Sequence, residues 1–202
     1  INSVFINNNA NLGVAKGNNQ GIEQSLKDNC EYVLLLNNDI EFAQDTIKDL
    51  VEYTVKNDVS IIVPKIHYHN TNKIWTAGGH ISKLKGTSPH RGELEEDVGL
   101  YAPTCFMMIK KEVFEKVGLM DEKYFVYYDD SDFIYRTNEN GYKIVYFPKA
   151  VVAHKVSVST GGSESLFFIY YVTRNRIYFI RKNLPFIYKL ISLPYFFLTR
   201  MV

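Results

Sequence analysis

Cysteine is scarce in this sequence: Cys30 and Cys105 are the only two in 202 residues. Two cannot build a disulfide framework, and both adjoin apolar segments, which predicts buried free thiols and a reducing compartment. No uninterrupted apolar run reaches the length of a membrane span, and no signal-peptide pattern opens the chain. Neither sign of charge dominates, since 23 basic residues face 22 acidic ones for a net charge of +1. That balance argues against nucleic-acid binding, which needs a basic excess or stripe. What remains is an ordinary globular composition, 46% apolar and 22% charged, long enough for one substantial core. The chain opens within strand-like residues and ends inside an apolar stretch, so a fragment clipped at both ends is expected.

The organising stretch is residues 32–36, Tyr-Val-Leu-Leu-Leu, followed at once by Asn37, Asn38 and Asp39. A short, continuously apolar run with helical neighbours predicts the central strand of a parallel α/β sheet, buried on both faces. Ligands of such sheets collect at the carboxyl ends of the strands. Two amides and a carboxylate are therefore delivered where a cation or phosphate group would sit. The same three residues also make an ordinary turn, bonding to their own backbone.

Upstream, residues 3–6 read as a short strand and residues 7–11 as an asparagine loop. Residues 12–21 carry Gly13, Gly17 and Gly21 and lead into a helix bearing Ile22 and Leu26. A glycine-spaced loop opening a helix can bring backbone N–H groups against phosphate, although the spacing is not the dinucleotide fingerprint. Downstream, Asp45 can cap a helix whose buried face is Ile47, Leu50, Val51 and Val55. Residues 59–63 form the next strand, and strand, helix, strand, helix, strand is the order of right-handed parallel crossovers.

Residues 65–99 are polar and glycine-containing, with the single tryptophan, Trp75, beside Gly78 and Gly79, and an acidic run at 93–97. A small hairpin and a loop are expected there. His67, His69, His80 and His90 fall in it, but their spacing matches no common zinc site, so they are read as solvated loop histidines. A strand over 104–109 and a helix over 111–117, ended by Gly118, come next. Behind the aromatic run at 124–128, Asp129, Asp130 and Asp132 open a helix. Caps and the helix dipole favour acids there, but carboxylates this crowded also raise one another's pKa, which is how a general base is tuned. Residues 142–147 and 150–154 read as a strand pair ending in His154. From Ser165 an aromatic helix carries Arg174, Arg176, Arg181 and Lys182; residues 184–198 are apolar, interrupted by Pro185, Lys189 and Pro194. Aromatic residues beside basic ones suit a helix at a membrane surface, or one docked on another part of the protein.

Taken in order, Asn11-Leu12-Gly13 with Asn19-Gln20-Gly21, Leu36 to Asp39, residues 117–122, residues 127–132, and Pro148-Lys149-Ala150 with His154 resemble the family 2 glycosyltransferases of GT-A fold, in particular the rhamnosyltransferase-like and galactofuranosyltransferase-like bacterial members. Five separated motifs agree in order, from about residue 3 to residue 183. The implied fold is α/β: a GT-A, Rossmann-like, mixed and mostly parallel sheet flanked by helices. It is N-terminally incomplete, because the family's first nucleotide-binding strand would precede Ile1. The implied division is a catalytic core over 1–164 and basic, aromatic, amphipathic helices over 165–202.

The resemblance implies an inverting, metal-dependent transfer from a UDP- or dTDP-linked sugar to a hydroxyl of a saccharide or lipid-linked acceptor, in bacterial cell-surface polysaccharide assembly. By similarity Asp39 and His154 are metal ligands, Asn11, Gly13, Asn19, Asn37 and Asn38 contact the nucleotide-sugar, Asp130 is the general base and Asp129 helps bind the acceptor. Oxygen ligands with one imidazole suit magnesium or manganese, the nitrogen leaning toward manganese. Asn37 stands where the fuller family motif has a first aspartate, which implies weaker affinity for the bare metal. The implied location is the cytoplasm, at the inner face of the cytoplasmic membrane, with peripheral contact through 165–202. Two other readings share the architecture: a sugar nucleotidyltransferase, which would want a Gly, Arg and Lys signature loop near its first strand, and a non-catalytic GT-A-like binding domain.

Overall fold

A computed structural model describes residues 3–92, 101–155 and 165–199. Along the chain run α1 (Val14–Lys27), β1 (Tyr32–Leu36), β2 (Ile40–Phe42), α2 (Thr46–Asn57), β3 (Ile61–Tyr68), β4 (Ile74–Thr76), β5 (Phe106–Lys110), α3 (Lys111–Val117), α4 (Asp129–Glu139), β6 (Ile144–His154), α5 (Leu166–Asn183) and α6 (Phe186–Leu198). The expected acidic run at 93–97 and most of the polar loop after His154 lie outside the described residues.

The strands join in the order β1-β5-β3-β6-β2, with β4 on β3. Alternation along each strand sends side chains to two separate cores. Val33, Leu35, Ile61, Val63, Met107 and Ile109 face Ile22 of α1, Val113 and Phe114 of α3, and Phe133 and Ile134 of α4. Ile62, Ile66, Phe106, Met108 and Val152 face Leu50 of α2 on the other side. The result is a sheet covered by helices on both faces, as the apolar runs predict.

Pairing differs from the expectation. β1 is not central but lies at the end of the strand order, bonded antiparallel to β5. Among the described residues the one parallel ladder is β3 with β6. A doubly covered strand reads as an apolar run whichever way its neighbours point, so the pattern carries no direction. Because β5 runs against both β1 and β3, β1, β3 and β6 share one direction, and the start of β5 lies at the edge where those three end.

Other local expectations are also revised. Residues 3–6 form no strand: they have no pairing partner among the described residues, and Phe5 is 90% exposed. The glycine-rich stretch is helical from Val14 onward rather than a loop. Asp45 has helical dihedrals rather than the extended ones of a capping residue and makes no side-chain cap, while Leu50 is buried as expected but Val51 and Val55 are exposed and Thr54 is buried in their place. Residues 142–147 and 150–154 are not two strands; Ile144–His154 is a single strand. Its partners on β3 jump from Phe147 opposite Pro64 to Val151 opposite Lys65, so Pro148, Lys149 and Ala150 bulge from the ladder. Proline lacks the N–H a ladder needs, and the bulge accommodates it. Cys105 is buried, but Cys30, in the turn leaving α1, is exposed.

Helix α5 is not an appendage. Phe179, Ile180 and Leu184 join Tyr124 and Tyr135 in a third apolar cluster beneath it.

Candidate active site

Asp39 sits in the turn between β1 and β2, and the next residue, Ile40, pairs with His154 at the end of β6. That register brings Asp39 Oδ1 to 3.2 Å from His154 Nε2. The two atoms are at ion-pair distance, and Asp39 Oδ1 and His154 Nδ1, both buried, otherwise find no hydrogen-bond partner among the described residues. Burial lowers the His154 pKa against the upward pull of Asp39, favouring the neutral ring. Its other face meets Trp75, 4.6 Å between centroids at 70°.

Across this tryptophan lies the acidic end of α4. The backbone turns into the helix through Tyr127 and Tyr128, both at positive φ (62° and 67°), a costly conformation for aromatic residues. Asn175 of α5 holds the turn by donating Nδ2 to the carbonyls of Val126 (2.8 Å) and Tyr127 (2.9 Å). The three aspartates that follow meet different surroundings. Asp132 is fully buried and paired with Arg136 (2.9 Å) and Lys182 (2.8 Å). Asp129 is buried, and desolvation, then the neighbouring Asp130 charge, push its carboxyl up to about 8. Asp130 is partly exposed and accepts a hydrogen bond from Tyr101 Oη at 2.6 Å, while its Oδ1 accepts one from the Ser131 N–H at 2.6 Å.

His90 joins the two halves. Its ring lies 4.8 Å from Trp75 and 5.7 Å from Tyr101. One edge remains open to solvent, yet enough of the ring is enclosed for desolvation to lower its pKa, with Asp130 pulling upward and His154 downward. The carboxylates of Asp39 and Asp130 likewise both raise the pKa of the buried Cys105 thiol, after desolvation. Asp39, His154 and Asp130 thus converge on one edge of the sheet.

The model of the family described as Glycosyl transferase family 2 matches residues 2–118, more than half the chain. This chain belongs to glycosyltransferase family 2. It is 31% identical over 178 residues to the low-salt glycan biosynthesis hexosyltransferase Agl10 of Haloferax volcanii, covering 85% of this chain and 58% of that protein. It is 29% identical over 188 residues to the dTDP-rhamnosyl transferase RfbF of Shigella flexneri, covering 86% and 61%. The chain therefore spans about three-fifths of these relatives' length. Among solved structures, the mannosyltransferase PcManGT of Pyrobaculum calidifontis, in complex with GDP-Man and Mn2+, superposes with a TM-score of 0.53 at 16% identity over 92% of this chain and 49% of its own. GalNAc-T7 with UDP, GalNAc and Mn2+ gives 0.55 at 18% identity over 83% and 36%. The fold is GT-A.

In this family 2 chain the residues expected at the nucleotide-sugar divide into two sets. Asn37 and Asn38 are exposed beside Asp39, with the Asn37 N–H donating to the Cys105 carbonyl at 2.9 Å. Asn11 accepts from the Gly13 N–H at 3.0 Å, and Gly13, at φ 84°, opens α1 so close to Phe125 that a Cβ would lie 2.3 Å from its carbonyl oxygen. Asn19 is a correction. It is buried, its Oδ1 accepting from the Met120 N–H at 3.0 Å and its Nδ2 donating to the Met120 carbonyl at 2.9 Å, so it clamps α1 to the segment before α4 and has no face for a ligand.

Reading the sequence missed Trp75, His90, Tyr101 and Asn175. The histidines are not a solvated set: His67 lies in β3, the His69 ring is 3.0 Å from Glu41 Oε2, and His80 Nδ1 is buried. The meeting of His90 and Tyr101 depends on Gly79, bridged to both. A Cβ there would lie 2.4 Å from the Pro89 carbonyl oxygen, so only glycine permits the approach.

The Asp39–His154 pair fits a divalent cation. Adjacent ligands of an octahedral ion bound at about 2.1 Å lie about 3.0 Å apart, close to the observed spacing, and a buried carboxylate oxygen with no hydrogen bond is the donor such an ion needs.

Proposed function

We propose that this chain is the GT-A core of an inverting glycosyltransferase that moves a sugar from a UDP- or dTDP-linked donor to a hydroxyl of a saccharide or lipid-linked acceptor, in bacterial cell-surface polysaccharide assembly. The observation that carries the reading is the convergence of Asp39 and His154 with Asp130 around Trp75, His90 and Tyr101. Similarity to hexosyl- and rhamnosyltransferases supports the reaction class.

Asp39 and His154 would hold the divalent cation, magnesium or manganese, the imidazole favouring manganese. Such an ion supplies Lewis-acid stabilisation of the charge gathering on the departing diphosphate. Asn37 and Asn38 lie beside this pair and would orient the donor, with Gly13 and Asn11 shaping the start of α1. Asp130 takes the proton of the acceptor hydroxyl as its oxygen attacks the anomeric carbon. The bond from that carbon to the diphosphate oxygen breaks, its electron pair leaves with the nucleoside diphosphate, and configuration inverts. Tyr101 and the Ser131 N–H fix the Asp130 carboxylate, so the base is aimed before the acceptor arrives. Asp129, protonated through neutral pH, would act on the acceptor side by positioning Asp130 and not by direct contact, since it is buried.

The working location we propose is the inner face of the cytoplasmic membrane. No helix among the described residues is long and apolar enough to cross a membrane, but α6 turns Phe186, Ile187, Leu190, Phe197 and Leu198 to solvent. The described arm from residue 165 to residue 199 contains five basic residues and no acidic one. That chemistry suits an anionic lipid surface.

Asp130→Asn tests the reading. Turnover of a UDP- or dTDP-sugar with the metal present should fall by about a thousandfold or more, at the upper part of the range for general-base loss, while donor affinity stays unchanged. Full activity in the variant would refute the base, and release of pyrophosphate from a sugar phosphate and nucleoside triphosphate would identify a nucleotidyltransferase instead.

A further inference from the structure

The outer face of α5 carries a concavity away from the candidate active site. A groove of about 650 Å³ is lined by Lys123, Arg174, Ile177, Tyr178, Arg181 and Lys182. Four of these six are cations, and the carboxylates nearby are already committed. Asp121 accepts from Lys182 (2.7 Å) and Tyr178 Oη (2.8 Å). Burial alone would raise its pKa, but those bonds and the Lys123 N–H outweigh it and hold it below its ordinary value. Asp132 is shared by Lys182 and Arg136. Lys182 is therefore neutralised from below, whereas Lys123, Arg174 and Arg181 are exposed and have no carboxylate at ion-pair distance among the described residues.

Two of the three uncommitted cations are also held in place. The Lys123 ammonium lies 5.8 Å from the centre of the Tyr178 ring, and the Arg174 guanidinium 5.9 Å from that of Tyr171. Arg174 donates one N–H to the Lys123 carbonyl at 2.9 Å, which joins the two sides of the groove and leaves other guanidinium donors for a ligand. Like charges gathered without counter-ions repel one another, and an anion with several acceptor oxygens relieves that repulsion. Arginine forks fit tetrahedral phosphate oxygens in pairs.

We propose that this groove is a binding site for a phosphate or diphosphate group, with Lys123, Arg174 and Arg181 as its ligands. It rests on the groove's own charges and stands whether or not Asp130 is the catalytic base. The phosphate comes either from a lipid headgroup or from a soluble phosphorylated molecule, and the test separates the two.

Full-length protein is compared with Lys123→Ala/Arg181→Ala and with the charge-matched control Lys27→Ala/Lys56→Ala, whose lysines are exposed on α1 and α2. Each is titrated with inorganic pyrophosphate in metal-free buffer. Each is also sedimented with neutral vesicles, vesicles doped with phosphatidic acid, and vesicles doped with oleate to the same surface charge. Thermal melting confirms that all three proteins are folded. A loss of pyrophosphate affinity of about tenfold in the groove variant alone, the worth of one charge-assisted contact, supports the site with a soluble ligand. A similar loss on phosphatidic acid vesicles alone supports it with a headgroup. Equal losses in groove variant and control, no binding of either phosphate probe, or unaltered pyrophosphate binding in the groove variant together with equal binding to oleate and phosphatidic acid would overturn it.

Discussion

At the scale of single residues, three neighbouring aspartates of one type do three different things because their partners differ. Asp132 is an internal anion matched by Arg136 and Lys182, Asp130 is aimed at the site by Tyr101, and Asp129 is a buried acid. In the unfolded chain the Asp129 carboxyl ionises near pH 4, at about the ordinary value for aspartate, whereas in the fold it keeps its proton up to about 8. The stability linked to that proton is complete below the unfolded value and is lost as pH rises through the folded one. Asp129→Asn is neutral at every pH. Its melting temperature relative to the parent should therefore climb between about pH 4 and about pH 8, measured by differential scanning fluorimetry; a flat difference would show that Asp129 ionises normally.

At the scale of elements, what could be read beforehand was whatever a short window contains. Residues 32–36 announce a covered strand, 111–117 a helix, and Asp39 and His154 stand out because each follows an apolar run. The meeting of Asp39 with His154 was not legible, since it depends on Ile40 pairing with His154 across the sheet. The direction of β1 was hidden for the same reason. Trp75, His90 and Tyr101 come from a stretch with no period, and their association exists only once Gly79 has brought three segments together. Asn175 left a fainter trace, an amide on the buried stripe of an aromatic helix four residues before Phe179. A buried amide must have partners, and its partners are the strained turn into α4. Asn175→Ala leaves two turn carbonyls unsatisfied and should cost about 1–3 kcal/mol in urea unfolding. The same variant should lower kcat more than it raises donor KM, because the turn sets where Asp130 points; unchanged kcat would detach α5 from the site.

At the scale of the whole molecule, the question is whether the C-terminal arm is separable. Phe179, Ile180 and Leu184 close the cluster over Tyr124 and Tyr135, and burying one such phenylalanine is worth about 1.5–3 kcal/mol. A chain ending at residue 164 should therefore lose cooperative unfolding and bind a hydrophobic dye at neutral pH, whereas cooperative melting of that truncated form would establish an independent core. The reversed course of β5 has one more consequence. Asp39 and His154 lie where strands finish at one edge of the sheet, while Tyr101 and Cys105 lead into a strand that starts there, so in the proposed reaction the grip on the departing group and the surroundings of the attacking one would be encoded by different covalent stretches.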